Sequence, residues 1–406
     1  MTDFTGLFST ASFPTDLAKK SFSATIARYM PNGNTPLFAL TSESAREVAL
    51  QYQHSFWTKT MIFPNATLDA AVSGASATTF TVVSTSTLLP NMVLRSAETG
   101  EHILIDSIIS STKFTCQRGV GTVAAGAISN ATALYKVGTA FEQGSVRPQA
   151  LNIQPVQVTN YTQIFRNSWA VSRTVKATMM AAGNANIAES RQDAGAFHAS
   201  DIESSIIFGQ RSTGTRNGQP FHTMNGLIAF LNDTSLYPAI YGGSVNVTAA
   251  GGTTTFAQLE TALDPVFNQN TDPKTGNMRY LFVGGKARVV INNIGRIMGT
   301  YQIRSGETSF GLQFEEFKIS RGTFRIVEHP LFNSNSTWAK YALAVDMPNL
   351  ALAYMNGSDT MHEPFGLGQG GDNGIDAEGG TLTTECTLLH KNIPACALVT
   401  GLTAAA

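Results

Sequence analysis

Three kinds of side chain in this chain of 406 residues could do chemistry: His54, His102, His198, His222, His329, His362 and His390; Cys116, Cys386 and Cys396; and the paired carboxylates Glu315 and Glu316. A metal held on a regular element needs ligands three or four apart on a helix, and no two histidines have that spacing; His362 and Glu363 are adjacent and cannot face one ion. The histidines are therefore read as surface or interface residues. The cysteines are odd in number and far apart, which fits free thiols in a reducing compartment rather than a disulfide framework. There is no G-x-S-x-G, Walker A or kinase motif. Glu315 and Glu316 lie in a strand pattern, where neighbours point to opposite faces, so one is expected in solvent and the other in an interface rather than both at one reacting bond. Gly366-Leu367-Gly368-Gln369-Gly370-Gly371 satisfies G-x-G-x-x-G but follows Pro364-Phe365 and leads into Asp-Asn-Gly, with no strand before it and no helix after it to hold a pyrophosphate. Lys59 is the lysine to consider for an isopeptide link between subunits, which would need an Asn on a neighbour and a carboxylate to take the proton. The sequence thus assigns no catalytic residue, no cofactor-binding residue and no metal ligand, and the chain is read as a non-enzyme.

The composition points elsewhere. Charged residues make up 14% of the chain, against roughly 25% for an average soluble domain, and the 27 basic and 28 acidic residues leave a net charge of -1. The place of charge is taken by 47 Thr, 36 Gly and many Ser and Asn, which favour strands, turns and surfaces that end against other protein. Hydrophobic residues at 43% exclude wholesale disorder. No run approaches the roughly 18 apolar residues of a membrane span, and the first 20 residues lack a signal-peptide pattern, so no membrane partner and no export are expected. The sequons at Asn65, Asn130, Asn160 and Asn246 carry no weight without export. Balanced charge removes the simple argument for nucleic-acid binding; Arg166, Arg173, Arg191 and Arg211 could make phosphate contacts or pair with carboxylates of other subunits.

The elements that must carry these residues are α+β. Residues 1–47 carry turn signals and scattered apolar groups and read as an extended arm that needs a partner surface. Two β-reading stretches, 50–63 and 151–165, could form a projection on the order of 50 Å long. Between them, residues 68–138 contain short strands with small-residue turns, a small sheet or barrel inserted as its own module. The spacing predicts a helix over 186–209, opened by Asn186 with Glu189 three residues on and with an apolar arc interrupted by Arg191 and His198. A unit from 255 to 346 alternates helix and strand, with Pro265 stopping its first helix. Closing strands follow near 350–355, 381–389 and 395–400, and the connection 356–380 is read as an interaction loop.

The ordered series of local motifs resembles a tailed-bacteriophage major capsid protein, in the branch of the HK97-like fold whose extended loop carries a β insertion. The residues that carry it are Asn34-Thr35-Pro36-Leu37-Phe38, Phe56-Trp57, Thr99-Gly100-Glu101-His102-Ile103-Leu104, Phe114 to Thr122, Asn160-Tyr161-Thr162-Gln163-Ile164-Phe165, Val171-Ser172-Arg173-Thr174, Gly322 to Val327, Thr384-Glu385-Cys386-Thr387-Leu388 and Asn392 to Val399. Arg173 and Pro394 depart from the family's usual pattern, where a small and a charged residue are commoner.

The resemblance implies a division into an N-terminal arm 1–47, an extended loop 48–165 with its β insertion 68–138, a peripheral domain 166–235 with spine helix 186–209, an axial domain 236–345, and closing strands 346–406 with the loop 356–380. It implies self-assembly as pentamers and hexamers into the icosahedral head of a tailed phage. The implied partners are copies of the chain, a portal, scaffolding or decoration proteins, and packaged double-stranded DNA touched non-specifically from the inner face; assembly would take place in the bacterial host cytoplasm. The alternatives are another virion structural protein, of decoration or tail, and a β-rich ligand-binding module; the latter needs clustered exposed aromatics, whereas Trp57, Trp169 and Trp338 are dispersed.

Overall fold

The computed structural model describes residues 35–41, 46–59, 64–150, 152, 154–177, 186–233, 246–268, 277–298, 304–309, 312–366 and 376–405. Residues 1–34 of the arm and 367–375 of the glycine-rich stretch therefore lie outside the described residues. The chain divides into two compact units, the larger from 1–56, 157–237 and 243–406, the smaller from 57–156 and 238–242.

In the larger unit one sheet runs in the order Glu47–Ala49, Leu350–Met355, Ala377–His390, Gln163–Ser172, with Met361–Gly366 also paired to the long strand Ala377–His390. The register from Met361↔Thr383 to Gly366↔Glu378 makes part of the expected interaction loop 356–380 a strand hairpin. Loop composition misled here because Gly379 and Gly380 serve packing: a Cβ on Gly379 would sit 2.3 Å from Trp169 O, and one on Gly380 2.3 Å from His362 Nε2. The helix Asn186–Phe208 crosses one face of this sheet, packing Ile187 and Ala194 on Trp169, Val171 and Leu382. Antiparallel partners share a face, so Phe165, Asn167 and Trp169 look toward the helix and Ile164, Arg166 and Ser168 look away.

A second sheet has seven strands, in the order Val247–Ala249, Ala397–Thr400, Ala342–Val345, Met278–Val283, Thr323–Glu328, Leu312–Lys318, Arg304–Ser309. The helices Phe256–Leu263 and Gly285–Met298 bury Leu259, Leu263, Val290, Ile291 and Ile294 in one core with Leu281, Phe317 and Phe324. Thr255 and Gln258 close a reciprocal capping box at the first of these helices, and Pro265 ends it in a single 3-10 turn. At Gly284 the strand passes so close to the chain at Ala339 that a Cβ would lie 2.5 Å from its carbonyl oxygen.

The smaller unit is a six-stranded sheet, in the order Asn65–Thr67, Ala133–Thr139, Met92–Ser96, His102–Ser110, Lys113–Gln117, Thr79–Thr81. Its two edges meet: Asp69 N–H donates to Thr81 O at 3.0 Å and Val83 N–H to Thr67 O at 2.9 Å, with Leu68 opposite Val82. No edge of this sheet is then left open for stray pairing at that seam. Phe80, Leu94, Ile103, Ile105, Phe114 and Leu134 fill its interior. Of the two expected long arms, Gln53–Thr58 and Val156–Tyr161 are strands that pair with each other, and residues 60–63, 151 and 153 lie outside the described residues.

Candidate assembly surface and the networks behind it

The residues with chemical potential are brought into pairs and networks, and among the described residues no three of His, Cys, Asp and Glu gather as a metal site. The surface reading of the histidines is wrong for His198, His329 and His390, which are 4%, 0% and 0% exposed. Each is tolerated inside because its ring nitrogens have partners. His198 Nδ1 lies 2.8 Å from Asn167 Oδ1 and Nε2 2.8 Å from Thr384 Oγ1, which fixes the helix to both long strands. Burial lowers its affinity for a proton. His222 stacks on Tyr52 at 4.5 Å, and His362 on Trp169. His54 faces Glu47 at 3.7 Å.

Glu315 and Glu316 point to opposite faces: Glu315 pairs with Arg288 of the helix Gly285–Met298, and Glu316 lies 3.9 Å from Arg325. Both partners are in the same chain, so the expected solvent-facing and interfacial division is replaced by two internal pairs. Arg288 also holds Glu328 at 2.8 Å. The four candidate phosphate-binding arginines do not form one cluster. Arg173 is paired with Asp376 at 2.8 Å, and Arg211 donates to Thr159 O while lying over the Tyr161 ring. Arg166 is on the sheet face opposite the helix that carries Arg191. Lys59 is exposed, next to residues outside the described set, and Gly366 ends a strand rather than opening a phosphate loop.

Cys396 and His390 form the one thiol–imidazole pair among the described residues, with Sγ and Nε2 3.1 Å apart. Asn392 N–H donates to Nδ1 at 3.3 Å, so Nε2 is the protonated nitrogen of a neutral ring. Burial pushes the thiol up to about 12 and the imidazole down to about 4. A nucleophilic cysteine needs the reverse, a thiolate beside an imidazolium, so this pair is inert. Burial likewise pushes Cys116 and Cys386 up to about 12. The expected result with a thiol reagent at pH 8 is no modification of any of the three in native protein and full modification in denaturant; labelling of native protein at a free-cysteine rate would refute this packing.

Several motifs that mark the sequence turn out to be hubs of buried polar contact. Asn160 is fully buried: its Nδ2 donates to Leu388 O at 2.8 Å and Asn225 O at 3.1 Å, and its Oδ1 accepts Asn225 N–H at 2.7 Å and Tyr161 N–H at 2.9 Å. Next to it Thr162 donates to Glu385 at 2.6 Å, and Gln163 Oε1 accepts Met224 N–H. In the smaller unit Glu101 is 0% exposed and accepts Arg118 Nε at 3.0 Å, Arg118 Nη2 at 2.6 Å and Gly119 N–H at 3.0 Å. Arg118 also donates to Gly74 O and Gly126 O and lies over the Phe80 ring. Glu203 accepts N–H groups of Leu37 and Phe38 and faces His329. From the sequence Glu101 and Arg118 stand only as members of the motifs Thr99 to Leu104 and Phe114 to Thr122, with no role assigned, and Glu203 is not singled out; a charged residue beside glycine, as in Gly100-Glu101 and Arg118-Gly119, was the available signal for the first two.

Outside these networks some large apolar side chains are exposed. Leu50 and Tyr52 beside the first edge strand, Ile164 on the sheet face away from the helix and Phe197 on the helix are exposed in the larger unit, and Trp57, Val137 and Val146 in the smaller. Single exposed apolar residues are ordinary. Here they occur in a chain only 14% of whose residues are charged.

Comparison with known proteins gives this arrangement a family. A family model described as SU10 major capsid protein matches residues 4–403. The major capsid protein of Pseudomonas phage PaMx41 is 37% identical over 413 residues, covering 99% of this chain and 97% of that one. Among solved structures, a chain from Mycobacterium phage Bobi aligns at 9% identity and a TM-score of 0.48, covering 97% of this chain and 99% of that one. A chain from Microbacterium phage Oxtober96 aligns at 11% identity and 0.47, covering 99% and 100%. On the match that runs from residue 4 to residue 403 and the 37% identity over nearly the whole length, the chain belongs to the SU10 major capsid protein family.

Proposed function

We propose that this chain is the shell-building subunit of a phage head, assembling with copies of itself as pentamers and hexamers around a double-stranded DNA genome. The observation that carries the reading is its 37% identity, over 99% of its length, to a protein described as a major capsid protein. The low charge, the exposed apolar residues and the inward-turned ion pairs support it, since one weak contact repeated between identical copies closes a shell through multivalency. In this reading residues 1–47 are the arm, 48–165 the extended loop, 166–235 the peripheral domain, 236–345 the axial domain and 346–406 the closing strands. The work done is assembly rather than catalysis, which the protonated, buried thiols support. A portal closes one vertex, scaffolding or decoration proteins join where the shell needs them, and assembly takes place in the host cytoplasm. DNA contact is sparse, because the net charge is -1 and the candidate arginines are scattered or paired.

Expression of the full chain, followed by electron microscopy of the sedimenting fraction, tests this reading. Closed shells with five-fold and six-fold clusters are the expected result. Virions in which this chain is a minor component outside the shell would overturn it.

A further inference from the structure

We infer that Glu203 is a positioning residue of assembly: its carboxylate sets where Leu37 and Phe38 sit, and so the place from which the N-terminal arm leaves the subunit. The inference rests on the reading of residues 1–47 as an arm that contacts a neighbouring copy.

Glu203 is 1% exposed on the long helix. Its Oε1 accepts Leu37 N–H at 2.8 Å and its Oε2 accepts Phe38 N–H at 2.6 Å. The same Oε1 lies 2.6 Å from His329 Nε2, at the end of a strand of the seven-stranded sheet. Leu331 N–H donates to His329 Nδ1 at 3.2 Å, so Nδ1 is an acceptor and Nε2 carries the hydrogen given to Glu203. The buried carboxylate is thus held by three N–H donors from two segments, 166 and 126 residues away in sequence.

Leu37 and Leu40 are buried and supply the adhesion of this segment without help from a charge. Apolar adhesion has no direction, so it tolerates a segment that slides or turns on the helix. A carboxylate whose two oxygens address two successive main-chain N–H groups admits one register. A polar group at this depth is costly unless its oxygens find donors, so the three N–H contacts are retained together. Its consequence is that the residues leading into the arm are indexed on both the long helix and the seven-stranded sheet, and the arm starts from one point in every copy.

The test uses full-length Glu203→Gln. An amide keeps one acceptor oxygen and turns its NH2 toward N–H groups, so the three donors cannot all be met. Hydrogen exchange at Leu37 and Phe38 is expected to rise at least about tenfold, exchange at Leu281 and Ile326 in the sheet core to stay as in the parent, and shell yield to fall at least about fivefold. Parent-like exchange at Leu37 and Phe38, or faster exchange with a parent-like yield of shells, overturns the inference. Should that variant fail to fold, His329→Ala against His329→Gln makes the same comparison: alanine speeds exchange and lowers yield, glutamine restores a side-chain N–H and both readouts, and equal behaviour of the two overturns it. A map of the parent shell separates this from the arm reading: residues 1–34 lying on their own subunit would defeat that reading whatever the exchange data say.

Discussion

Replacing Arg118 by leucine is expected to destabilise the smaller unit by about 3–5 kcal/mol, the cost of leaving one partner of a buried ion pair alone. Glu101 would keep the Gly119 and Gly126 N–H groups but lose both guanidinium contacts at a buried site, and Gly74 O and Gly126 O would lose their donor. Those two carbonyls lie in the segments joined by the Val72–Ile128 bridge, so the damage extends beyond the pair itself. The measurement is hydrogen exchange at Ile103, Ile105 and Phe114 in urea, which reports this unit without relying on a signal from the rest of the chain. The double variant Glu101→Leu with Arg118→Leu removes both charges and should recover much of the loss, because apolar replacements of a buried pair are often neutral. A single variant as stable as the parent would mean that the pair is solvated in solution.

Acid should weaken the unassembled subunit well above the range in which carboxylates titrate. His390 is buried as a neutral ring, and burial, with the nearby Arg279 charge, holds it at about 4 against an ordinary value of 6.5. Between those values the unfolded chain binds a proton that the folded chain refuses, so stability is full near pH 7 and falls with pH through this window. The expected loss is about 2 kcal/mol between pH 7 and pH 5, and about 3 kcal/mol once pH is below 4. His198, also held down by burial, acts in the same direction. Glu98 and Glu260 have lowered values because hydrogen bonds from Ser129 and Ser320 favour their charged forms, so their contribution is lost only as pH falls below about 4.5, in a separate window. Urea midpoints measured at pH 7, 6 and 5 would reveal the histidine window. Replacing His390 with glutamine should flatten that part of the profile, and an unchanged slope in this variant would assign the effect elsewhere.

These two predictions rest on groups that the sequence treats very differently. His390 is one of seven histidines with no spacing to distinguish it; it is buried opposite Leu350 of the neighbouring strand, with the Cys396 thiol, six residues on, against its ring. Arg118 and Glu101 lie in the motifs by which the chain resembles its family, yet the pair they form spans 17 residues across a sheet whose strand order is not sequential. The motifs were therefore legible as motifs before their physical reason was. Glu203 was hidden inside a helix pattern, where a glutamate reads as a solvent-facing residue.

The amino-acid sequence by itself determined the α+β class, most of the secondary structure, the inserted run of short strands between residues 68 and 138, and the family. All of these follow from short-range periodicity, turn residues and the order of local motifs, which survive without knowledge of what packs on what. Only the tertiary structure decided that three histidines are buried, that Met361–Gly366 is a strand, that Gln53–Thr58 pairs with Val156–Tyr161 and that Glu203 holds the segment at Leu37 and Phe38. Each of these depends on which segments the fold brings together. A buried polar group is acceptable only when specific donors and acceptors reach it, and that is a property of three-dimensional juxtaposition which residue type and spacing do not encode.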